Sequence, residues 1–241
     1  MKRHLLAAPL AAALVLAPAT AVHAVAPAEW LQRAGASLAA GARDLNTGDR
    51  GDDVLAVQEA LAKLHYYHGA LNGLYTEEMV PSVWAFQKVH GLKVRETVGA
   101  PMLAALQEPR EPEPLLDDGA DDRVEIDLTK QLMTIYKAGS PYIISHISSG
   151  SGKYYCSEGR CRDATTPTGD FEVYRVVEGW ETAPLGEMYR PLYFYGGFAL
   201  HGSITVPNKP DSHGCIRIPM SLADLVADTV EMGWPVHLRR T

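Results

Sequence analysis

A proline-rich acidic segment divides the chain into two parts with different hydrophobic patterns, and this division limits the fold more than any other feature. Residues 108–122 contain three prolines and seven carboxylates. Such a composition is typical of an extended, solvated linker that spaces two domains. We therefore expect one domain on each side of residues 108–122.

The segment before the linker has the periodicity of helices. Val54, Val57, Leu61 and Leu64 recur at the spacing that places side chains on one helical face. A turn follows at 68–73, a second helix is predicted over 77–90 with Pro81 in its first turn, and a third over 100–106. The pattern predicts a small three-helix bundle over residues 44–107.

The segment after the linker has the alternation of strands. Residues 124–128 alternate with period two, and further β-rich runs lie at 132–136, 142–147, 171–177, 192–195 and 235–238. One helix is expected over 222–232, capped by Ser221 and closed by Gly233. We predict a mostly-β domain over residues 123–240, with a β-sandwich or barrel-like fold and one helix near its end.

The first 24 residues have the composition of a signal peptide. Lys2 and Arg3 precede an apolar run over 5–17, and Val22-His23-Ala24 offers small residues for cleavage. Cleavage after Ala21 and a retained anchor remain open alternatives, although the apolar run is short for a membrane span. We expect an exported protein of the periplasm or cell wall, without stable membrane insertion after cleavage, in which residues 25–43 form a tether.

The charge of the chain argues against one class of partner. The formal net charge is −7, and removal of a basic signal peptide makes it more negative. An acidic protein is repelled by nucleic acid and by anionic lipid. We therefore expect no nucleic-acid partner.

The three cysteines divide into a pair and a single residue. Cys156 and Cys161 bracket four residues that include a glycine, so a tight turn can bring them within disulfide distance at the tip of a hairpin. Cys215 then remains unpaired. A free thiol in an exported protein is either buried and inert or kept for chemistry.

The residues around Cys215 favour a catalytic role for its thiol. It lies in Ser212-His213-Gly214-Cys215-Ile216-Arg217, and a second His-Gly pair begins at His201. An imidazole near a cysteine can take its proton and create the nucleophilic thiolate. The intervening residues contain prolines and an asparagine, so they are expected to fold back as a loop between a strand that carries His201 and the nucleophile.

This pattern resembles the active-site motif of the L,D-transpeptidase (YkuD-like) family, and the resemblance extends from residue 123 to about residue 239. It implies that Cys215 is the nucleophile and His201 the general base, oriented by the carbonyl group of Gly202. The amides of Gly214 and Cys215 would face the oxyanion, and His213 would be a further donor or a structural brace.

The resemblance also implies the substrate and its contacts. Arg217 would hold a substrate carboxylate through its forked donors, and Gly202 and Ser212 would border the substrate, with Ser212 as a turn former. The enzyme would cleave peptidoglycan tetrapeptide stems through a thioester and form 3→3 cross-links. Hydrolysis of the thioester would instead give an L,D-carboxypeptidase. Carbapenem β-lactams are implied as covalent inhibitors, and no cofactor or metal is expected.

The helical segment resembles a second family. The phrases at 48–54, 71–75 and 85–92 are similar to the type 1 peptidoglycan-binding domain, with 77–81 departing from the usual pattern. The resemblance implies targeting to the cell wall. A small structural domain without a ligand is the alternative.

Other interpretations of the same residues remain open. A zinc peptidase would use His201, His213 and Cys215 as ligands, but no recognised metal-binding spacing is present. A non-catalytic wall-binding protein is the third possibility. We predict a β-turn at 166–169 and structural roles for His146 and His237. Three aromatic side chains are expected to line either a cleft or the core, namely Trp180, Tyr193 and Tyr195.

Overall fold

The computed structural model of the protein describes residues 43–241. The predicted signal peptide and all but the last residue of the predicted tether lie outside the described residues. Within residues 43–241, none of the helices has both the length and the apolar character that a membrane crossing requires.

The first domain contains three α-helices and one short 3₁₀ helix. The α-helices are α1 (Asp52–Lys63), α2 (Val80–Val89) and α3 (Ala100–Gln107), and the 3₁₀ turn Glu77–Met79 leads directly into α2. The predicted apolar face of α1 is buried, since Val54, Val57 and Leu61 are fully covered. The predicted three-helix bundle is confirmed.

A buried glutamine fixes the turn between α1 and α2. Gln58 accepts hydrogen bonds from the amides of Asn72 and Gly73 at 3.1 and 2.9 Å, and its Nε2 donates to the carbonyl of Leu74 at 2.9 Å. Buried polar groups are stable only when they are paired in this way. The side chain of Gln58 therefore holds the loop at residues 72–74 against the helical bundle.

The second domain is a sandwich of two β-sheets. Its first sheet has the strand order β3-β2-β1-β12-β6, its second has β11-β10-β9-β7 with β8 also paired to β9, and β4 and β5 form a separate hairpin. The strands are β1 (Arg123–Asp127), β2 (Leu132–Lys137), β3 (Ser140–His146), β4 (Tyr154–Ser157), β5 (Arg160–Asp163), β6 (Gly169–Glu172), β7 (Arg175–Val176), β8 (Trp180–Ala183), β9 (Gly186–Tyr195), β10 (Phe198–Ser203), β11 (Ile216–Pro219) and β12 (Pro235–Arg239). Two pairs, β1 with β12 and β10 with β11, are parallel, and the other pairs are antiparallel.

The core of the sandwich lies between the two sheets. Ile126 and Ile135 of the first sheet pack in one cluster with Leu192 and Ile218 of the second. Each such side chain contributes about 1.5–3 kcal/mol when it is fully buried. The mostly-β fold predicted from the period-two pattern is confirmed.

One helix, α4 (Met220–Thr229), covers the second sheet. It starts directly after β11, with Pro219 at the N-cap and no capping side chain, so the prediction that Ser221 caps this helix is wrong. The φ of Pro219 is −56°, which suits a helix entry and places Ser221 already inside the first turn. The helix lies very close to β10 at Gly202, where a Cβ would be 2.6 Å from the Cβ of Ala223.

The linker is docked onto both domains. The amide of Arg110 donates to the Nε2 of His90 at 2.9 Å, and the amide of Leu115 donates to the Oε2 of Glu125 at 2.7 Å. Most linker side chains are exposed, as expected of a solvated segment, but the buried side chains of His90 and Glu125 accept hydrogen bonds from its backbone and fix it against both domains.

The two domains are also in direct contact. The amide of Ile144 in β3 donates to the carbonyl of His65 at 2.9 Å, and Ile144 and Leu132 belong to the apolar cluster of the helical domain. The helical bundle thus completes its core with residues of the first β-sheet.

Candidate active site

Two neighbouring parallel strands bring the predicted nucleophile and base to one place. In the register of β10 and β11, Leu200 pairs with Ile216 and His201 with Arg217. Cys215 is the residue before β11, so it lies at the level of Leu200 and its chain neighbours. Cys215, His201 and Arg217 all line one cavity of about 770 Å³. The fold therefore brings His201 and Arg217, which are sixteen positions apart in the sequence, to the same cavity as Cys215.

Cys215 is an unpaired thiol at the wall of this cavity. Its side chain is partly buried, and its Sγ lies 3.7 Å from the carbonyl oxygen of Gly197. Burial raises the pKa of the thiol, while a hydrogen bond from the backbone of Ala199 and the charges of Arg217 and Arg162 oppose that shift. The resting group is therefore a neutral thiol at neutral pH.

His201 is 5% exposed and is held in one tautomer. Its Nδ1 lies 2.9 Å from the carbonyl oxygen of Gly202, which can only accept, so Nδ1 carries the proton and Nε2 is left as an acceptor. Burial lowers the pKa of His201 to about 4, the bond to Gly202 opposes this, and Arg217 adds to it. The imidazole is neutral at pH 7 and able to take a proton.

The turn before Cys215 is fixed by two hydroxyl groups. The Oγ of Ser212 donates to the carbonyl of Cys215 at 2.6 Å and accepts from the amide of Gly214 at 3.0 Å. The Oγ1 of Thr166 donates to the carbonyl of Gly214 at 2.7 Å and accepts from the amide of Gly150 at 2.8 Å. Both hydroxyl-bearing side chains are buried. They brace the segment that positions the thiol.

Gly214 is required by this turn for two reasons. Its φ is +138°, a conformation that other residues rarely adopt, and a Cβ there would lie 2.5 Å from Cε1 of Phe198. Its amide is already bonded to Ser212, so the prediction that this amide faces an oxyanion has no support in the geometry. The amide of Cys215 remains the candidate oxyanion donor.

The predicted substrate residues have different surroundings. Arg217 faces the cavity, and its Nη1 is 3.9 Å from Oδ2 of Asp211, a distance that leaves its other donors available. Ser212 lines the cavity, but its hydroxyl is used by the turn. Gly202 is buried under α4, and its contact with the site is the hydrogen bond from His201. Gly202 therefore orients the base and does not border the cavity.

The β4–β5 hairpin forms one wall of the cavity and carries the predicted disulfide. Cys156 and Cys161 are directly paired across the hairpin and joined by a disulfide bond. The ring of Tyr155 packs edge-on against His213 with centroids 4.8 Å apart, and Nε of Arg162 donates to the Tyr155 hydroxyl at 2.6 Å. His213 itself is exposed to the cavity.

Tyr193, one of the aromatic residues predicted to line either a cleft or the core, lines the cavity together with Arg175. The hydroxyl of Tyr193 donates to Oε2 of Glu181 at 2.9 Å, and Arg175 forms an ion pair with Glu181 at 2.6 Å. Burial, followed by the contact with Glu181, raises the pKa of Tyr193 to about 12, so its hydroxyl stays protonated. The density of aromatic residues in 174–195 was the only sequence signal for this wall.

The remaining predicted residues lie outside the cavity wall. Trp180 packs on Tyr189, Tyr195 packs on Phe171, and His237 bonds Asp170 at 2.6 Å. Across residues 43–241 there is no group of three His, Cys, Asp or Glu side chains arranged to hold a metal ion.

Comparison with known proteins identifies both domains. Residues 121–238 match the YkuD family, described as the L,D-transpeptidase catalytic domain, and residues 50–106 match the putative peptidoglycan-binding domain family PG_binding_1. No curated protein matches the chain.

Solved structures of similar fold include an L,D-transpeptidase from Xylanimonas cellulosilytica. It is 37% identical, the match covers 83% of this chain and 98% of that one, and the TM-score is 0.78. Since 83% of this chain is more than either family match covers, the likeness spans both domains. An L,D-transpeptidase from Stackebrandtia nassauensis is 20% identical over 81% of this chain and 94% of its own, with a TM-score of 0.48.

Proposed function

Because the chain belongs to the L,D-transpeptidase family, with a YkuD catalytic domain after a peptidoglycan-binding domain, we propose that it cross-links peptidoglycan stem peptides through an acyl-enzyme on Cys215. The observation that carries this proposal is that one cavity is lined by both a free thiol and an imidazole whose Nε2 is left to accept a proton. His201 lies within β10, and Cys215 directly precedes the adjacent parallel strand β11.

The first half-reaction transfers the acyl group of a tetrapeptide stem to the enzyme. The Sγ of Cys215 attacks the carbonyl carbon between the L-centre of the diamino acid and the following D-amino acid, while Nε2 of His201 takes the thiol proton. The oxyanion of the tetrahedral intermediate accepts a hydrogen bond from the Cys215 amide, with His213 as a further donor. His201 returns the proton to the leaving amine, and a thioester remains.

The second half-reaction releases the acyl group. The side-chain amine of another stem attacks the thioester, His201 takes a proton from that amine, and the thiol is restored when the C–S bond breaks. The product is a cross-link between third residues of two stems. If water takes the place of the amine, the product is a shortened stem and the activity is that of an L,D-carboxypeptidase.

The proton positions favour a general-base mechanism over a preformed ion pair. Burial raises the pKa of Cys215 and lowers that of His201, and both shifts keep the proton on sulfur. The thiolate is then formed as the substrate is attacked. Arg217 is the candidate partner for a substrate carboxylate, since a guanidinium binds carboxylates through two parallel hydrogen bonds.

The helical domain supports an exported function at the wall. A peptidoglycan-binding domain holds the enzyme near its polymeric substrate and raises the local concentration of stems. We infer an exported protein acting in the periplasm or cell wall, directed there by the signal peptide predicted over residues 1–24. Fractionation of cells that express the full chain, with amino-terminal sequencing of the recovered protein, tests both the location and the cleavage after residue 24 or 21.

The central experiment measures the acyl-enzyme directly. The mature protein is incubated with disaccharide-tetrapeptide, and intact-protein mass is followed together with the soluble products. We expect an adduct on Cys215, release of the D-amino acid and a cross-linked dimer. A mass shift with a carbapenem β-lactam, whose ring carbonyl can accept the thiolate, is expected on the same peptide.

Three variants give the experiment its controls. Cys215→Ala should form no adduct, and His201→Gln should slow acylation by about 10²- to 10⁴-fold, the usual effect of removing a positioned base. His237→Gln should acylate at the parent rate, because its ring contacts Asp170 outside the cavity wall. Turnover by Cys215→Ala contradicts the proposal, and tripeptide without dimer assigns the carboxypeptidase activity instead.

A further inference from the structure

A half-buried lysine of the peptidoglycan-binding domain contacts the catalytic domain. Lys88 lies in the last turn of α2, and its Nζ is 3.0 Å from the carbonyl oxygen of Gln131 and 2.6 Å from Nδ1 of His146. No Asp or Glu of residues 43–241 forms an ion pair with Lys88. Burial lowers the pKa of Lys88 to about 7, and the more distant Asp127 opposes that shift. Partial removal of a lysine from water costs free energy when no carboxylate compensates it, so the hydrogen bonds of Lys88 are of functional interest.

His146, at the end of β3, connects this lysine to the active-site region. The residue is fully buried, with Trp84 of α2 edge-on to its ring at 5.0 Å. Its Nε2 is 3.1 Å from the carbonyl oxygen of Pro207. Pro207 belongs to the segment 204–211, here called the catalytic loop, which runs from the strand of His201 towards the turn of Cys215. A hydrogen bond to Pro207 therefore anchors the middle of this loop.

The direction of the hydrogen bonds follows from proton counting. Burial lowers the pKa of His146 to about 3, so the ring is neutral and carries a single proton. Below about pH 7 the Lys88 amine is an ammonium group, which only donates, and this makes Nδ1 an acceptor and places the ring proton on Nε2. That proton is donated to Pro207. Without the lysine, Nδ1 can instead donate to the carbonyl of Gln131, 3.3 Å away. Nε2 would then carry no proton and could not donate to the carbonyl oxygen of Pro207, which is itself only an acceptor.

A second branch leads from the same lysine to the nucleophile turn. Lys88 donates to the backbone of Gln131, whose side chain bonds both the amide and the hydroxyl of Ser149 at 2.8 Å. The carbonyl of Ser149 accepts from the amides of Asp211 and Ser212 at 2.9 and 3.0 Å. Ser212 in turn braces Cys215. Both branches end in the segment between the base and the nucleophile.

We propose that Lys88 is a positioning residue for the reaction at Cys215, because it fixes the ring tautomer of His146 that anchors the catalytic loop at Pro207. The peptidoglycan-binding domain would thus be part of the support of the active site in addition to its targeting role. The inference goes beyond the proposed function, and its kinetic readout relies on acylation of Cys215.

The test compares Lys88→Met with the parent in the full mature chain. Methionine has a similar length and fits an apolar site, but it cannot donate to Nδ1. Two-bond ¹⁵N–¹H spectra of the histidine rings report the tautomer, and the signals of His146 are assigned by their loss in His146→Gln. We expect the Nε2–H form in the parent and a shift towards Nδ1–H in Lys88→Met. Acylation by a carbapenem should slow by about 2- to 10-fold, the effect of one ordinary hydrogen bond.

Two controls separate positioning from general packing. Lys93→Met changes an exposed lysine of the same domain and should alter neither readout. In His146→Gln, the side-chain amide can donate to Pro207 whether or not Lys88 is present. Adding Lys88→Met to that variant should therefore change acylation less than about 2-fold, so that the two substitutions are not additive.

The outcomes are distinct. An unchanged tautomer in Lys88→Met, or a changed tautomer with the parent acylation rate, overturns the proposal. Equal effects of Lys88→Met in the parent and in His146→Gln overturn it as well, since they indicate that Lys88 acts through packing or through Gln131 and not through the tautomer of His146. If the parent is not acylated at all, the proposed function fails, whereas the tautomer measurement still decides whether Lys88 controls His146.

Discussion

Replacement of Thr166 by valine should weaken both the fold and the reactivity of Cys215. Valine has the shape of threonine without its hydroxyl, and Thr166 is 1% exposed. The substitution removes the bonds to the carbonyl of Gly214 and the amide of Gly150 and supplies no replacement. The nucleophile turn would lose one of its braces from outside the 201–217 segment.

The magnitude follows from the two groups that are left without partners. An unpaired buried backbone group costs about 1–3 kcal/mol. Gly214 is buried but Gly150 is only partly buried, so water can relieve part of the second cost. We expect a loss of about 2–4 kcal/mol in the free energy of unfolding, which lowers Tm by about 4–16 °C in a protein of this size. Displacement of the thiol should slow acylation by about 10- to 100-fold.

The assay combines thermal unfolding with the rate of acylation followed by intact mass. Thr166→Ser keeps the hydroxyl and should retain most of the stability and rate. Thr168→Val makes the same chemical change at an exposed position of the same turn and should cost less than about 0.5 kcal/mol. If Thr166→Val is as stable and as reactive as these two controls, the hydroxyl does not brace the turn and the reasoning is refuted.

Three further predictions concern the site. Acylation should rise with pH through about 4, because the base acts only after His201 loses its proton, and a midpoint near 6.5 in the rate profile would contradict the neutral imidazole. Gly214→Ala should destabilise the fold by about 1–3 kcal/mol through its positive φ, with more from the clash with Phe198; a parent Tm would disprove this. Removing the disulfide with Cys156→Ser and Cys161→Ser together should slow acylation by loosening the hairpin wall, while equal rates would show that the wall is rigid without it.

The parts of the fold that depend on local pattern were predictable from the sequence. The apolar face of α1 and the alternation in β1 are set by neighbouring residues, and the motif around Cys215 resembles one known arrangement. The contacts that cross the chain were not predictable. His146 was interpreted as structural because only its strand pattern was visible, whereas its partner Lys88 lies 58 residues earlier.

Two predictions depend on a neighbouring residue that the pattern did not take into account. Ser221 has the right residue type for a cap, but Pro219 takes the N-cap position, so the helix begins at Met220, two residues before the predicted start. The Gly214 amide was predicted to face an oxyanion, and in the structure it donates its hydrogen bond to the neighbouring hydroxyl of Ser212.

The place of β12 in the first sheet has a consequence for the order of folding. This strand lies between β1 and β6, and its pairing with β1 joins Val124 to Val236 across more than a hundred residues. Contacts so distant in sequence close slowly, because the chain entropy of a long loop must be lost before the contact is gained. Until β12 is in place, β1 and β6 are open edges. The nascent catalytic domain should therefore stay unfolded until residue 239 is available, and it is exposed to proteases if assembly stalls.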